Sequence, residues 1–347
     1  MKKHLSKIIY SLFFIGSFSL FSSLQAEEVF ESDLEALALK NIEQLTRPSM
    51  GFEKAGEGYF SPDGKTIIFQ AVPQGQIHYQ IYTMDLEERI PRLVSTGKGA
   101  CTCAYFRPDG KKIIFASSHE DPFLDDPTIS SSIPGYNRSS NYQWDFTPYM
   151  NIYEANPDGT DLKALTSGPA YHAECAYSPD GKRIVFASNL DGSMNLYTMK
   201  ADGSDIYQVT KTTSCYNGGS FFSPSGEQII FRADRDQRHY LQIYTIDVDG
   251  SNEMQLTANG AVNWAPYWHP NGYVIAFTTS LHGHAHYEIY LLNLLTNRQW
   301  RLTHNPTFDG LPVFSPDGHK MMWTSKRGPD QTSQLFVADF ILPEDLK

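Results

Sequence analysis

Tyr177-Ser178-Pro179-Asp180-Gly181-Lys182-Arg183-Ile184-Val185-Phe186 ends one apolar run, turns the chain and begins another. Proline presets φ at the first corner, Asp tolerates the next position, and Gly takes the positive φ that a side chain resists. Related turns begin at Ser61, Arg107, Ser178, Ser223, His269 and Ser315, spaced 46, 71, 45, 46 and 46 residues apart. A β-rich run follows each of them. A period near 45 made of strands is the mark of a propeller blade. The expectation is an all-β chain, a six-bladed β-propeller of four-stranded blades.

The third unit shows the blade. Ala173–Tyr177 reads as an inner strand, 182–188 as the second, 194–200 as the third and 205–210 as the outer strand. Apolar triplets of the second strands, such as Ile67-Ile68-Phe69, should fill the space between blades. The last repeat stops after its third strand, within 334–340. Upstream of the first repeat, Ile42-Glu43-Gln44-Leu45-Thr46 matches the outer strand Met254-Gln255-Leu256-Thr257. Ile42–Thr46 is therefore expected to complete the last blade and close the ring, which removes two exposed sheet edges.

The remaining segments bound the setting. Lys2, Lys3 and Lys7 precede an apolar run from Ile8 to Leu20 and then Leu24-Gln25-Ala26. That is the pattern of a secretory signal over 1–26, cleaved after Ala26; the run is shorter than the ~20 residues of a spanning helix. Residues 27–41 read as a short tail, with Phe30, Leu34 and Leu37 at helical spacing, and 42–347 as the propeller. Net charge is −11, and loss of the signal with its three Lys leaves −14. An acidic exported chain is a poor partner for nucleic acid or anionic lipid. The expected protein is periplasmic, monomeric and without a membrane span after cleavage. Cys101, Cys103, Cys175 and Cys215 permit disulfides without fixing a pairing. Asp247-Val248-Asp249-Gly250 resembles the start of a calcium loop, but Asn252 stands where that loop needs Gly.

The interval of 71 residues carries an insertion, 118–147, between the second and third strands of blade 2. It is rich in Pro, Ser and Asp and holds Tyr136, Tyr142, Trp144 and Phe146, the composition of a contact surface. In a four-stranded blade it shares a face with the segments that enter each inner strand; the Pro-x-Gly turns lie on the other. Six residues before each turn stand Ala55, Cys101, His172, Asn217, Asn263 and Asp309. Four residues before it stand Glu57, Cys103, Glu174, Gly219, Ala265 and Leu311. These are expected to form two rings at the channel mouth. The polar members (Glu57, Cys101, Cys103, His172, Glu174, Asn217, Asn263 and Asp309) suit a hydrated lining or a ligand mouth. Cys101, Cys103, His172 and Glu174 could also build a metal or nucleophilic site. His282, His284 and His286 alternate in a blade 5 loop on the same face, a pattern able to chelate a transition metal. No Gly-x-Ser-x-Gly elbow and no phosphate-cradling Gly-rich loop ahead of a helix is present, so no cofactor is expected.

Tyr177-Ser-Pro-Asp-Gly-Lys182, Ile243-Tyr-Thr-Ile-Asp-Val-Asp-Gly250 and Gln255-Leu-Thr257 together resemble the repeat of the TolB-like family across residues 42–340. The resemblance implies a six-bladed propeller and a non-enzymatic role: TolB is a periplasmic part of the Tol-Pal envelope system, and its propeller binds the peptidoglycan-associated lipoprotein. TolB also carries an α/β domain ahead of its propeller, for which this chain has no room. The resemblance is thus to the propeller module, which implies an exported binding or scaffold protein with a protein or envelope partner. Oligogalacturonate lyases carry related repeats and a His-containing metal site. They supply the alternative, a metal-dependent carbohydrate-active enzyme on the same face, with no residue-by-residue match for catalytic roles.

Overall fold

A computed structural model describes residues 34–124 and 146–346. The expected signal at 1–26, Phe30 in the tail, and Tyr136, Tyr142 and Trp144 in the insertion lie outside the described residues.

The turn phrase works through its side chains. Ser178 Oγ donates to Asp180 Oδ1 at 2.7 Å and accepts the Arg183 N–H at 3.0 Å; Ser61 and Ser315 do the same in their turns. Gly181 sits at φ +68°. The turn aspartates are therefore structural, held as Asx-type acceptors.

Among the described residues the strands form six four-stranded antiparallel sheets. In five, sequence order is spatial order; in the sixth, the strand Leu39–Gln44 is added beside Gln334–Phe340. The second strands are buried on both faces between neighbouring sheets. Ile113, Ile114 and Phe115 are fully buried, as are Ile229, Ile230 and Phe231, and Met321, Met322 and Trp323. Truncating such an aromatic to Ala costs about 3–5 kcal/mol.

The closing strand begins three residues earlier than the motif suggests and ends at Gln44. Asn41, at φ +54°, bulges out of the ladder, and pairing resumes at Glu43 opposite Val337. Leu45 and Thr46 follow the ladder as they do in every blade. The hydroxyls of Thr46, Ser95, Thr166, Thr210, Thr257 and Thr303 each accept a third-strand N–H, from Leu335, Ile81, Ile152, Leu196, Ile243 and Ile289, at 2.8–3.0 Å. The N-terminal segment thus repeats the chemistry of an ordinary outer strand. That geometry also shortens the outer strands: in blade 3, Val209 and Thr210 both turn their N–H to Leu196 O, and only Tyr207–Gln208 remain in the ladder.

A five-residue helix, Leu34–Ala38, leads into the seam. Glu35 bonds Arg327 Nη1 at 2.8 Å and the His304 N–H at 2.7 Å. Arg327 in turn pairs with Asp309 at 2.5 Å. No helix of the described residues is long and apolar enough to cross a membrane.

Candidate functional site

All six inner strands carry the same irregularity. Each slips register against its second strand at this point (the first inner strand slips again between Phe52 and Lys54), and the residue four positions before the turn adopts positive φ: Glu57 +46°, Cys103 +54°, Glu174 +56°, Gly219 +60°, Ala265 +50° and Leu311 +56°. A bulge breaks the alternation of side chains, so residues two apart no longer share a face. The two predicted rings therefore part company.

The ring six residues before the turn is buried between blades. Cys101, Asn217, Asn263 and Asp309 are fully buried and His172 nearly so. Asn217 Nδ2 bonds Met194 O at 2.8 Å, and Asn263 Nδ2 bonds Gln242 Oε1 at 2.7 Å, each on the preceding blade. Cys101 Sγ lies 3.1 Å from Ser117 Oγ. Asp309 holds Arg327 and the Trp323 indole N–H. Burial pushes the His172 imidazole down to about 4, which keeps it neutral. Asn217 and Asn263 rivet one blade to the next, whereas Cys101 with Ser117 and Asp309 with Arg327 and Trp323 bond within their own blade.

The second ring lines a cup of about 600 Å³, which Cys175, Tyr171, Arg232, Trp264 and His284 also help to line. Its floor is the next ring inward. Tyr59, Tyr105, Phe221 and Tyr267 pack edge to face or tilted at 5.0–6.1 Å, and Tyr105 Oη lies 3.1 Å from Tyr267 Oη. Phe221 and Tyr267 also line the recess on the turn face, beside Pro62, Pro179 and Pro270. The aromatic layer therefore divides the channel, and the cup is blind.

Bulge N–H groups need acceptors, and at three bulges the preceding blade supplies one from the residue after its core aromatic. Thr324 Oγ1 accepts from Glu57 N at 3.1 Å, Gln70 Oε1 from Cys103 N at 3.3 Å, and Thr278 Oγ1 from Leu311 N at 3.0 Å. Blade 3 has Ala187 at that position, which offers nothing. There the Glu174 carboxylate itself accepts the Gly219 N–H. It also takes the Tyr216 hydroxyl at 2.7 Å and Arg232 Nη2 at 3.3 Å. Both charges of this pair are buried, with side chains 8 % and 6 % exposed. A Cβ at 219 would collide with the Arg232 guanidinium, so a larger residue there would have to displace it.

Glu57 is placed differently. Its carboxylate accepts the Tyr59 hydroxyl at 3.4 Å and has the Cys103 thiol as a second hydrogen-bond partner, and among the described residues no cationic nitrogen lies within ion-pair distance of it. Burial pushes its carboxyl up to about 7; the Cys103 thiol beside it lowers it, the Glu174 charge raises it and Arg232 lowers it. Burial, then the charges of Glu57 and Glu174, push the Cys103 thiol well above its ordinary value. It is a thiol at neutral pH and a poor nucleophile.

The three alternating histidines are held apart. His282 Nε2 meets Tyr290 Oη at 2.7 Å, His284 Nδ1 meets Tyr287 Oη at 3.0 Å, and His286 Nδ1 meets Pro306 O at 2.7 Å. Among the described residues no group of three or more His, Cys, Asp or Glu is placed to hold one metal ion. The four cysteines are free thiols. Of the insertion aromatics, Phe146 is described: it stacks on Tyr216 at 6.2 Å and meets Tyr171 edge-on at 5.3 Å, which ties the end of the insertion to the wall behind Glu174.

Sequence reasoning missed Arg232, Tyr216 and Trp264. A signal existed for the first. Ala116, Ala187, Thr278 and Thr324 follow the core aromatic in four blades, and Gln70 and Arg232 depart from that pattern.

Residues 147–279 match the model of the TolB beta propeller domain. A segment of 83 residues, 24% of this chain, is 34% identical to dipeptidyl-peptidase 5 of Porphyromonas endodontalis and covers 12% of that protein. The chain spans less than half the length of the curated relatives it matches. Among solved structures, a TolB-type protein of Agrobacterium tumefaciens superposes with a TM-score of 0.57 and 20% identity over 83% of this chain and 91% of that one. Oligogalacturonate lyase of Vibrio parahaemolyticus gives a TM-score of 0.57 and 14% identity over 88% of this chain and 81% of that one. At these identities the superpositions speak for the fold alone.

Proposed function

We propose that this six-bladed propeller, whose residues 147–279 match the TolB beta propeller domain, is an exported, non-catalytic binding module. The reading that fits best is a receptor that admits a narrow projecting element of a protein or envelope partner. One observation carries this reading: the cup is blind and floored by aromatics, its wall is built from rigid bulges, and it opens on the face expected to hold the insertion. Its buried charged pair, Glu174–Arg232, is already engaged in internal bonds. Such groups shape and orient a ligand; they are not free to exchange protons with one.

The test is retention of a partner from the cell-envelope fraction by the immobilised protein. Leu311 already sits in the cup wall at positive φ, so Leu311→Trp fills the mouth without adding a new backbone demand. Saturable capture that is lost in Leu311→Trp is the expected result. Capture that survives the filled mouth overturns the reading.

The alternative is a metal-dependent carbohydrate-active enzyme of the lyase type. His284, which lines the same cup as Glu57 and Glu174, favours it. Incubation with uronate oligosaccharides and added manganese decides: release of unsaturated products would replace the binding reading.

A further inference from the structure

Glu57 stands out in the cup because its neighbour's charge is matched and its own is not. Arg232 is committed to Glu174 and Tyr216. The groups facing Glu57 are Tyr59 on its own strand, Cys103 from blade 2, Glu174 and Cys175 from blade 3, Arg232 from blade 4, and Tyr79, on which its charge also acts. An unmatched carboxylate in a pocket is costly, and a ligand cation brought to it gains the most where water is scarce.

We propose that Glu57 anchors a single cationic nitrogen, an ammonium or guanidinium presented by the partner, that enters the cup from its open face. The cavity, at about 600 Å³, is of ligand size and holds one long side chain with room to spare. Its walls already accommodate cations on aromatic faces: Lys54 Nζ lies 4.8 Å from the Tyr79 ring centre, and the Arg232 guanidinium 5.8 Å from that of Trp264. The raised carboxyl, near 7, follows from the same burial, and a bound cation would favour its ionised form. Binding would therefore release a proton. The inference rests on the cup being the working site; it adds what the cup selects.

Calorimetry on the full chain tests it. N-acetyl-lysine methylamide presents a side-chain ammonium, N-acetyl-arginine methylamide a guanidinium, and glycyl-norleucine amide a chain-terminal ammonium. N-acetyl-norleucine methylamide is the neutral control. At least one cationic probe is expected to bind ten or more times tighter than the control, and which one binds identifies the source of the cation. Glu57→Gln should reduce that affinity at least tenfold with an unchanged melting profile at pH 5. The wild-type protein supplies an independent readout. The lysine ammonium stays protonated throughout, so affinity should fall about tenfold from pH 8 to pH 6 as Glu57 takes up its proton. Equal binding of the neutral control, or a flat pH profile, overturns the proposal. If the cationic probes fail while Leu311→Trp still abolishes partner capture, the cup remains the site and only the cation is wrong. If both fail, the cup reading falls with it.

Discussion

Six hydroxyls near the outer edge of this propeller do one thing, and six bulge residues at its cup do six. Thr46, Ser95, Thr166, Thr210, Thr257 and Thr303 each accept one N–H at nearly the same distance. The bulge positions share only a backbone angle; their side chains run from glycine to leucine, cysteine and glutamate. The outer edge repeats a side chain because each blade needs the same bond. The cup repeats a backbone and leaves the side chain free to vary, which is how a symmetric scaffold comes to hold an asymmetric site.

Substitutions can break that contrast. The largest effect is expected at Glu174, where a bulge residue has been drawn into structural work. Glu174→Ala leaves Arg232 buried without its counter-charge and should cost about 3–5 kcal/mol in urea denaturation. A cost near zero would mean that the cup tolerates any side chain there. Next come the hydroxyls. Thr210→Val strands the Leu196 N–H and should cost about 1–3 kcal/mol. Thr46→Val should cost the same, since the N-terminal strand uses the same bond. A clearly smaller loss at Thr46 would show that the seam is looser than the other blades.

The smallest effect has the opposite sign. The Glu57 carboxyl stands at about 7, above its ordinary 4.5, so the folded state binds the extra proton between those values. The contribution of Glu57 to stability is therefore lost as pH rises from about 4.5 to 7. Glu57→Gln removes that loss and should raise Tm by about 2–5 °C at pH 8. Near pH 4 the two proteins should melt together. A variant less stable at pH 8 would mean that Glu57 is satisfied in the free protein.

The fold was legible because its turns depend on a few residue types with narrow tolerances. Pro and Gly set the backbone, and Ser178 with Asp180 locks it by side-chain bonds. The closing strand was legible through Gln44-Leu45-Thr46, although the ladder itself lies earlier, at Leu39–Gln44. The parting of the two rings was not. Positive φ at a bulge is usually flagged by glycine, and only Gly219 of the six carries that flag. With the bulges unseen, Cys101 and Cys103, or His172 and Glu174, read as pairs on one face. The structure sends the first of each pair between blades and the second into the cup. Arg232 and Tyr216 were hidden for another reason. They reach Glu174 from positions 58 and 42 residues away in sequence, a closeness that only the packed blades create.

The seam dictates an order of events. Leu39–Gln44 leaves the ribosome ahead of every other strand of the ring but finds its mate only when Gln334–Phe340 has followed. Every other sheet can be assembled from neighbouring stretches of chain as they arrive. A polypeptide cut short anywhere before residue 334 keeps one sheet unsealed at both ends of the arc, with raw edges open to other chains. Emergence of Gln334–Phe340 is thus written into the architecture as the condition for a finished ring.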